Sequence, residues 1–357
     1  MKFFFIVQGE GRGHMTQAIA LEDMLLSSGH QVVQVLVGKS ERRKIPSFFY
    51  EKIKAPIETF ESPNFVTDKK NKSINIPQTL WHNLKKQKVF FANMKKIDKY
   101  VKSSTPDVIV NFYDLLGGLY YGLYKPKIKF VTVGHQYFLQ HPKFQYPKGR
   151  YIERFLVNLN TNLTSWGAHK KLALSFREEP DFKNIHVVPP LLRKEILEVI
   201  PVQGDYLLGY TVNHGYGEDV LAWHAKNRDI KIHFFWDNPQ IEVEYSPHPN
   251  ITFHQLDDKK FIEKMKNCKG YISSAGFESI CEAMYLGKPV MMIPTEGQFE
   301  QECNALDAVK SGAGISSTAF DLDKFLDYLP KHKNPNENFK KWIAKSKELF
   351  LKHLTEW

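Results

Sequence analysis

The stretch Phe3-Phe-Phe-Ile-Val-Gln-Gly-Glu-Gly-Arg-Gly-His14 joins an apolar run, a glycine-rich turn and a histidine. The apolar run is too short for a leader peptide and has no small-residue cleavage site after it, so it predicts a buried first β-strand. Ala18–Ser28 then carries apolar residues at helical spacing, and Gly29 ends that helix. A second strand is predicted at Val32–Val37, which completes a strand–helix–strand unit typical of a parallel sheet covered by helices.

The same alternation continues along the chain and restarts near residue 205, after a proline-rich stretch with Val187-Val-Pro-Pro190 and Pro201. We therefore predict an α/β protein with two Rossmann-like parallel-sheet domains, residues 1–200 and residues 201–335. Residues 336–357 are predicted to form a final helix with no strand after it. Further strands are predicted at Val108–Asn111, Lys129–Val133, Tyr206–Tyr210, Lys231–Phe235, Ile251–Phe253, Gly270–Ile272 and Val290–Ile293.

The composition of the 357-residue chain, with 42% hydrophobic and 25% charged residues, is typical of a soluble globular protein. Its three cysteines form no CxxC pair, which favours a reducing compartment and argues against a zinc site. No apolar run approaches the roughly 18 residues that cross a bilayer. We therefore expect a cytoplasmic protein. We also expect no metal cofactor and no nucleic-acid partner.

Positive charge is concentrated in the first half of the chain. The formal net charge is +10, and residues 1–200 alone carry a surplus of +14. Ten lysines lie between Lys69 and Lys102, with Asp98 as the single acidic residue among them. Such a surface suits anionic membrane headgroups or a phosphate-bearing acceptor, although a solvated lysine-rich face is an equal alternative.

The segment Thr79–Lys102 combines many of these lysines with an apolar stripe. A basic amphipathic helix of this kind can lie on a membrane surface as a peripheral contact. The same stripe can instead pack on the sheet, as helices of α/β domains do, and this is the prediction we favour. The residues of the stripe are Leu80, Leu84, Phe91, Met94, Ile97 and Val101.

The loop Gly9-Glu-Gly-Arg-Gly-His14 is not a dinucleotide-binding loop. The GxGxxG pattern requires glycine where His14 stands, and the second strand ends without the expected acidic residue. A phosphate-binding Walker A loop is excluded as well, because no Gly-Lys-Ser/Thr follows. Gly11 and Gly13 still allow a ligand to approach the backbone closely, so we predict that they lie beside an acceptor.

His14 is predicted to lie at the carboxyl edge of the first sheet, where open α/β proteins bind their ligands. An imidazole is suited to act as a general base near neutral pH. Asp114 follows a predicted strand of the same sheet, and a carboxylate beside His14 would fix its tautomer and stabilise the imidazolium. We therefore predict a catalytic pair of His14 and Asp114. His135 reaches the same edge and is predicted to contact the acceptor or to support the base.

A second candidate site begins with Ser273-Ser-Ala-Gly-Phe-Glu-Ser-Ile-Cys-Glu-Ala-Met-Tyr-Leu-Gly-Lys-Pro289. A strand enters a turn of small residues, Ser274-Ala-Gly276, and a helix follows. The free N–H groups of that helix would hold a diphosphate without a metal. Ser279 can add a hydroxyl to a phosphate oxygen, and Glu282 can accept hydrogen bonds from a ribose.

These motifs resemble those of a known enzyme family. Gly276-Phe-Glu-Ser-Ile-Cys-Glu282 with Gly287-Lys-Pro289, followed by Glu300-Gln301 and Asn304-Ala305, resembles the donor-binding box of nucleotide-sugar glycosyltransferases. The box is similar both in the plant natural-product enzymes and in the bacterial MurG type, which adds N-acetylglucosamine to a lipid-linked precursor. Gly11-Arg-Gly-His14 resembles their N-terminal motif, in which the histidine is the base. The resemblance covers both ends of the fold and specifies no substrate.

The resemblance implies the GT-B fold, in which two Rossmann-like domains face each other across a cleft and the last helix crosses back to the N-terminal domain. It also implies an inverting transfer from a nucleotide-diphosphate sugar, with uridine as the expected base, to an acceptor that the motifs do not identify. A lipid-linked or cell-envelope glycan is one candidate for that acceptor. The donor contacts that it implies are Asn213, His214, Leu256, Ser274, Ala275, Gly276, Ser279, Glu282, Glu300 and Gln301. Ser274 stands where the plant enzymes have a phosphate-binding histidine, so the phosphate contacts would depend more on the backbone.

Several alternatives remain open at the level of sequence. A non-hydrolysing UDP-sugar epimerase uses the same fold and donor site, and a catalytically silent UDP-sugar-binding protein would keep the donor contacts. The acidic residues of the box could also form an ordinary solvated helix face. Asp321-Leu-Asp323 resembles a metal-binding DxD motif, but it precedes a helical pattern, so we predict that Asp321 caps a helix. The same interpretation applies to Asp257-Asp258.

Overall fold

The computed structural model describes residues 1–39, 44–63, 85–211, 216–236 and 243–357. Of these residues, those numbered 1–193 and 341–357 form one compact unit, and those numbered 194–340 form the other. None of the helices that the structure describes is both long enough and apolar enough to cross a membrane.

The first unit is built on a parallel sheet with the strand order β3-β2-β1-β4-β5-β6-β7. Its apolar strands are buried on both faces, as continuous runs such as that of β1 predict. The strands are β1 (Lys2–Gln8), β2 (Gln31–Lys39), β3 (Ile57–Glu61), β4 (Val108–Phe112), β5 (Lys129–Gly134), β6 (Lys170–Leu174) and β7 (Ile185–Val188). The helices between them are α1 (Arg12–Leu26), α2 (Ser47–Lys52), α3 (Gln87–Ser104), α4 (Leu115–Tyr124) and α5 (Tyr151–Thr164), and a 3-10 helix spans His135–Gln140.

Helix α3 contains the part of the predicted amphipathic stripe that the structure describes. Met94, Ile97 and Val101 are buried in the core against β1, β2 and β4, which confirms packing on the sheet. Phe90 also lies in this core, whereas Phe91 is 56% exposed, so the stripe passes through Phe90 and its assignment to Phe91 was wrong. The stripe positions before residue 85 lie outside the described residues.

The second unit repeats the architecture with the strand order β10-β11-β9-β8-β12-β13-β14, in which only β10 is antiparallel to its neighbour. The strands are β8 (Tyr206–Thr211), β9 (Lys231–Trp236), β10 (Glu244–His248), β11 (Ile251–Gln255), β12 (Gly270–Ser273), β13 (Val290–Met292) and β14 (Gly314–Ser316). The helices are α6 (Lys194–Leu197), α7 (Gly217–His224), α8 (Asp258–Asn267), α9 (Phe277–Tyr285), α10 (Phe299–Lys310) and α11 (Leu322–Tyr328). The two predicted caps are confirmed, since Asp257 caps α8 and Asp321 caps α11.

The chain ends in two helices, α12 (Asn336–Ala344) and α13 (Ser346–Thr355). Trp342 is buried, and its indole Nε1 donates a hydrogen bond of 2.9 Å to the carbonyl oxygen of Ser175, just after β6. Phe350 and Leu354 of α13 are fully buried. The last helix therefore packs within the first unit, although it lies far from that unit's strands in sequence.

Each sheet has a central strand at which the strand order reverses. β1 lies between β2 and β4, and β8 lies between β9 and β12. On the two sides of each central strand, the connecting helices lie on opposite faces of the sheet. This arrangement leaves a crevice at the carboxyl ends of the strands. The loops after β1 and β4 and the turn after β12 are therefore the places where each unit can bind a ligand.

Candidate functional site

His14 lies in the first turn of α1, directly above the end of β1. The residue is only 8% exposed, and its ring stacks on the ring of Tyr113 with the centroids 5.8 Å apart. Tyr113 follows β4 and has a φ of 60°, the left-handed region that non-glycine residues rarely adopt. Its hydroxyl is 2.8 Å from Oγ1 of Thr161 in α5, which holds the ring in place. Strained residues of this kind cluster at functional sites, and this one lies at the sheet's switch point.

The two nitrogens of the His14 ring face two glutamine side chains. Nδ1 lies 3.2 Å from Oε1 of Gln17, one helical turn further along α1. An amide oxygen only accepts hydrogen bonds, so the proton of the neutral imidazole is on Nδ1. Nε2 lies 3.5 Å from the amide nitrogen of Gln136, which is a donor. Nε2 therefore carries the lone pair, and this is the tautomer required for a base that acts through Nε2.

Burial lowers the pKa of His14 from 6.5 to about 4, and the hydrogen bond to Gln17 opposes this shift only in part. The imidazole is therefore uncharged at neutral pH. An uncharged imidazole is ready to accept a proton, whereas an imidazolium is not.

The expected pairing of Asp114 with His14 is absent from the residues that the structure describes. Asp114 is the N-cap of α4, and its Oδ1 accepts a hydrogen bond of 3.0 Å from the amide of Gly117. Its other oxygen points toward β2, where a Cβ on Gly38 would lie only 2.1 Å from it. Burial raises the pKa of Asp114 to about 6. The Asp114 carboxylate thus caps a helix. The side chain beside the imidazole is that of Gln17, whereas we had predicted Asp114 there.

His135 also differs from the expectation. Its Nδ1 lies 2.7 Å from the carbonyl oxygen of Leu174 in β6, and its ring packs against Phe176. The His135 ring is buried at the carboxyl edge of the sheet. The side chain that approaches His14 is that of the neighbouring residue, Gln136.

The backbone beside His14 is open at one glycine. Gly11 is the N-cap of α1, and a Cβ added there would meet nothing within 4 Å. Gly13 lies in the first turn of the helix and is half-buried. The backbone at Gly11 is therefore open, and the contact of Gly11 and Gly13 with an acceptor stays a prediction.

The turn after β12 has the geometry of an anion site. Ala275 is fully buried with a φ of 62°, a second non-glycine residue in the left-handed region at a switch point. Gly276 is the exposed N-cap of α9, and a Cβ there would meet only Oγ of Ser279, at 3.7 Å. The Ser279 hydroxyl donates a hydrogen bond of 3.2 Å to the carbonyl oxygen of Gly276, and its Oγ lies 3.4 Å from Oγ of the buried Ser273. The Ser279 hydroxyl therefore lies at the N terminus of the helix. The helix dipole makes this open end favourable for negative charge.

Glu282 and Gln301 are predicted donor contacts, and Asn304 belongs to the same predicted box. Glu282 is 2% exposed and lies one turn after Ser279. Asn304 of α10 donates a hydrogen bond of 3.1 Å to the carbonyl of Ala275, which fixes the strained turn. Gln301 accepts a hydrogen bond of 2.8 Å from the amide of Thr295 and so shapes the loop before α10.

The remaining predicted donor residues divide into three groups. Ser274 is buried within the turn itself, at 7% exposure. Glu300 lies in the first turn of α10, and Leu256 follows β11; both are half-buried. Asn213 and His214 lie outside the described residues, so their positions stay predictions.

Sequence reasoning missed Tyr113, Gln17 and Gln136. Gln17 stands three residues after His14 in a predicted helix, so helical spacing could have placed it beside the ring. Gln136 adjoins a residue that was singled out, but nothing in the sequence shows which of the two faces the site. No residue pattern in the sequence predicts the left-handed backbone conformation of Tyr113.

Comparisons with known proteins agree with this arrangement. The family model described as glycosyl transferase family 1 matches residues 1–331. An uncharacterized glycosyltransferase from Methanosarcina acetivorans is 23% identical over 355 residues, which cover 88% of this chain and 85% of that protein. A similar protein from Methanosarcina mazei is 23% identical over 357 residues, with the same coverage of 88% and 85%.

Solved structures show the same fold at low sequence identity. The kitacinnamycin glycosyltransferase aligns with a TM-score of 0.61 at 13% identity and covers 98% of this chain and 94% of its own. MurG of Acinetobacter baumannii aligns with a TM-score of 0.58 at 15% identity, over 100% of this chain and 99% of its own. A Phytolacca americana enzyme in complex with UDP-2fluoro-glucose and pterostilbene aligns at 0.60, with 13% identity and coverage of 98% and 93%. The chain therefore belongs to glycosyl transferase family 1, and it is a glycosyltransferase with the GT-B fold.

Proposed function

We propose that the protein is an inverting glycosyltransferase that takes its sugar from a UDP-sugar and needs no metal ion. The observation that carries the proposal is the N terminus of α9, which is open at Gly276 and has the Ser279 hydroxyl beside it. Backbone amides and a helix dipole can hold the leaving diphosphate, which is the part that a metal plays in other transferases. Two structural neighbours, from Phytolacca americana and Arabidopsis thaliana, form complexes with UDP-2fluoro-glucose and UDP-L-rhamnose, which supports uridine as the base.

In the proposed reaction, Nε2 of His14 removes the proton of an acceptor hydroxyl. The acceptor oxygen attacks the anomeric carbon of the donor, while the bond from that carbon to the phosphate oxygen breaks. The nucleotide diphosphate leaves with the electron pair, and its charge is stabilised by the amides of Gly276–Ser279 and by the Ser279 hydroxyl. A single displacement of this kind inverts the anomeric configuration. The imidazolium formed on His14 keeps its Nδ1 proton on Gln17.

The proposed donor contacts follow the elements of the second unit. Ser274, Ala275 and Gly276 hold the diphosphate, and Glu282 accepts hydrogen bonds from the ribose. Glu300 and Gln301 contact the sugar hydroxyls, and Gln301 is already oriented by the amide of Thr295. Leu256 contacts the uracil. Asn213 and His214, which lie outside the described residues, are proposed as further phosphate contacts on the resemblance alone.

A test with one substrate separates this function from the two alternatives. The protein is incubated with UDP-N-acetylglucosamine, with and without an acceptor extract, and the sugar products are separated. We expect transfer only in the presence of the extract. Epimerised sugar formed without an acceptor would identify an epimerase, and binding of the nucleotide sugar without any transfer would identify a silent binding protein.

The pH dependence of the reaction follows from the lowered pKa of His14. We expect kcat/KM to stay level from about pH 8 down to about pH 5.5 and to fall as the pH approaches about 4, because only then is His14 protonated in the free enzyme. A half-maximal value near pH 6.5 would contradict the buried, uncharged base.

Unfolding must be followed over the same pH range as a control. In the unfolded chain His14 titrates near its ordinary pKa of 6.5, so below that pH the unfolded state binds more protons than the folded state. Stability therefore declines as the pH falls from about 6.5 toward 4. Tryptophan fluorescence separates this loss of fold from loss of the base.

Helix α5 supports a contact with an anionic membrane. It buries two threonines, Thr161 and Thr164, while four of its large apolar side chains are exposed and the other three are half-buried. The exposed residues form an apolar surface without a partner in the described residues, and exposed patches of this kind mark interaction sites. The outward residues, which we call the α5 face, are Tyr151, Ile152, Phe155 and Leu159, exposed by 78, 72, 65 and 44%.

The charged residues near the α5 face indicate what kind of partner it binds. Lys143, Lys148, Arg150 and Arg154 lie in α5 or just before it in the sequence, and Glu153, the single acidic residue between 143 and 164, is paired with Arg150. Basic residues beside an apolar helical face suit anionic lipid headgroups. We propose that the α5 face rests on the cytoplasmic side of a membrane, where a lipid-linked or cell-envelope acceptor is accessible.

Vesicle binding tests the α5 face. We expect the protein to sediment with vesicles that contain phosphatidylglycerol and much less with pure phosphatidylcholine. Phe155→Ser is expected to weaken vesicle binding about tenfold or more, because a buried aromatic side chain contributes roughly 1.5–3 kcal/mol. Val243→Ser, at a residue of the second unit that is 75% exposed, is the matched control and should bind normally. Equal binding of both variants, or a change only in oligomeric state, would contradict a membrane contact.

A further inference from the structure

Three side chains that the proposed reaction does not use meet at the end of the first unit. Asp181 lies before β7, His186 lies in β7 and His353 lies in α13. One ligand atom from each of them lies within 4.8 Å of the other two. No other group of three or more histidine, cysteine or acidic residues in the described part of the chain is arranged in this way.

The carboxylate of Asp181 is already oriented for a shared ligand. Its Oδ1 accepts a hydrogen bond of 2.9 Å from the amide of Val187, and its Oδ2 lies 2.7 Å from Nδ1 of His186. The rings of His186 and His353 are 4.3 Å apart between centroids and inclined by 31°. Metal-binding carboxylates and imidazoles are commonly fixed in this way by a backbone hydrogen bond.

His353 joins the group through its ring, which lies against that of His186. The residue is buried, and its ring makes no hydrogen bond to the residues that the structure describes. An imidazole nitrogen that makes no hydrogen bond can offer its lone pair to a metal ion.

We propose that Asp181, His186 and His353 bind a divalent metal ion of the zinc type, which fastens α13 to β7. Two imidazoles and one carboxylate, with water as the fourth ligand, are a donor set that zinc accepts at about 2.0–2.2 Å. Ligand atoms of a tetrahedral site lie about 3.3 Å apart, so the three side chains need only small movements. The metal takes the place of the proton shared by Asp181 and His186.

The nearby cation Lys170 does not oppose this site strongly. Its ammonium group donates hydrogen bonds to the carbonyl oxygens of His353 and Glu356, at the end of α13. The ammonium thus neutralises the negative end of the helix. The site consists of residues outside the proposed donor and acceptor groups, so its metal is structural and the proposed transfer stays independent of metal.

Metal titration of the full chain tests the site. The protein is stripped with a chelator, and Zn²⁺ or Co²⁺ is added in competition with a chromophoric chelator. We expect one equivalent to bind. Asp181→Asn and His353→Gln should each weaken binding at least tenfold, whereas His248→Gln, in the second unit, should bind normally. Asp181→Asn is the safer variant, because its side chain is 47% exposed and the new amide oxygen can still accept from Val187.

Thermal unfolding of the same proteins separates a structural site from surface binding. At a zinc concentration about 100-fold above Kd, mass action favours the folded state about 100-fold, so Tm should rise by several degrees in the wild type and in His248→Gln only. Equal metal affinity in the wild type and in Asp181→Asn would overturn the proposal. Binding that leaves Tm unchanged would overturn the fastening of α13.

Discussion

Replacing His14 by alanine is expected to lower kcat by about 10²–10⁴, the usual contribution of a general base. The affinity for UDP should change by less than about twofold, because the donor contacts lie in the second unit. The loss should be the same in His14→Asn, whose side chain can still donate a hydrogen bond to Gln17 but cannot take a proton. Steady-state kinetics and calorimetric titration with UDP measure the two quantities.

Variants of the neighbouring residues distinguish the base from its supports. Asp114→Asn keeps the cap of α4, since asparagine caps helices as well as aspartate does. Because the Asp114 carboxylate makes no hydrogen bond to His14, we expect this variant to keep most of its activity. Gln17→Leu removes the group that holds the Nδ1 proton, so we expect a lower kcat with an unchanged KM for the donor. Full activity in His14→Asn would remove the base from the reaction.

Replacing Gly276 by aspartate is expected to weaken UDP binding by about 10²–10³ without harming the fold. A carboxylate at the N-cap of α9 occupies the place of the diphosphate, and two negative charges about 4 Å apart repel by about 4 kcal/mol near a protein surface. The backbone accepts a side chain here, because φ is −70° and a Cβ meets only Ser279, at 3.7 Å.

Two comparisons make this result specific. Aspartate is a better helix cap than glycine, so the Tm of Gly276→Asp should equal or exceed that of the wild type. Gly276→Ala adds the Cβ without the charge and should keep UDP affinity within a few fold. A Gly276→Asp variant that binds UDP normally would show that the diphosphate is held elsewhere.

Much of the architecture could be predicted from the sequence because buried parallel strands are short apolar runs between helical segments. The nine strands predicted in the described residues all correspond to strands of the structure, and only Ile293 lies beyond the end of its strand. Five strands, β3, β6, β7, β10 and β14, were missed, and three of these carry a weaker signal. β6 begins with two lysines and β10 contains Pro247, so neither reads as an apolar run. β14 has only three residues.

The candidate site divides in the same way. The turn Ser274-Ala-Gly276 and the helix after it are local in sequence, so their geometry could be inferred from residue types. The surroundings of His14 depend on contacts between distant segments. Asp114 and Gln136 both follow strands of the same sheet, and only the packing decides that the amide reaches the imidazole while the carboxylate turns toward Gly38.

Calorimetric titration of the wild-type protein with UDP, UMP and uridine, in the presence of a chelator, tests the central claim most directly. We predict that UDP binds without a metal and at least tenfold more tightly than UMP, and that uridine binds weakest, because the N terminus of α9 holds the diphosphate. Equal affinities for UDP and uridine, or UDP binding that appears only when Mg²⁺ is added, would contradict a diphosphate held by backbone amides.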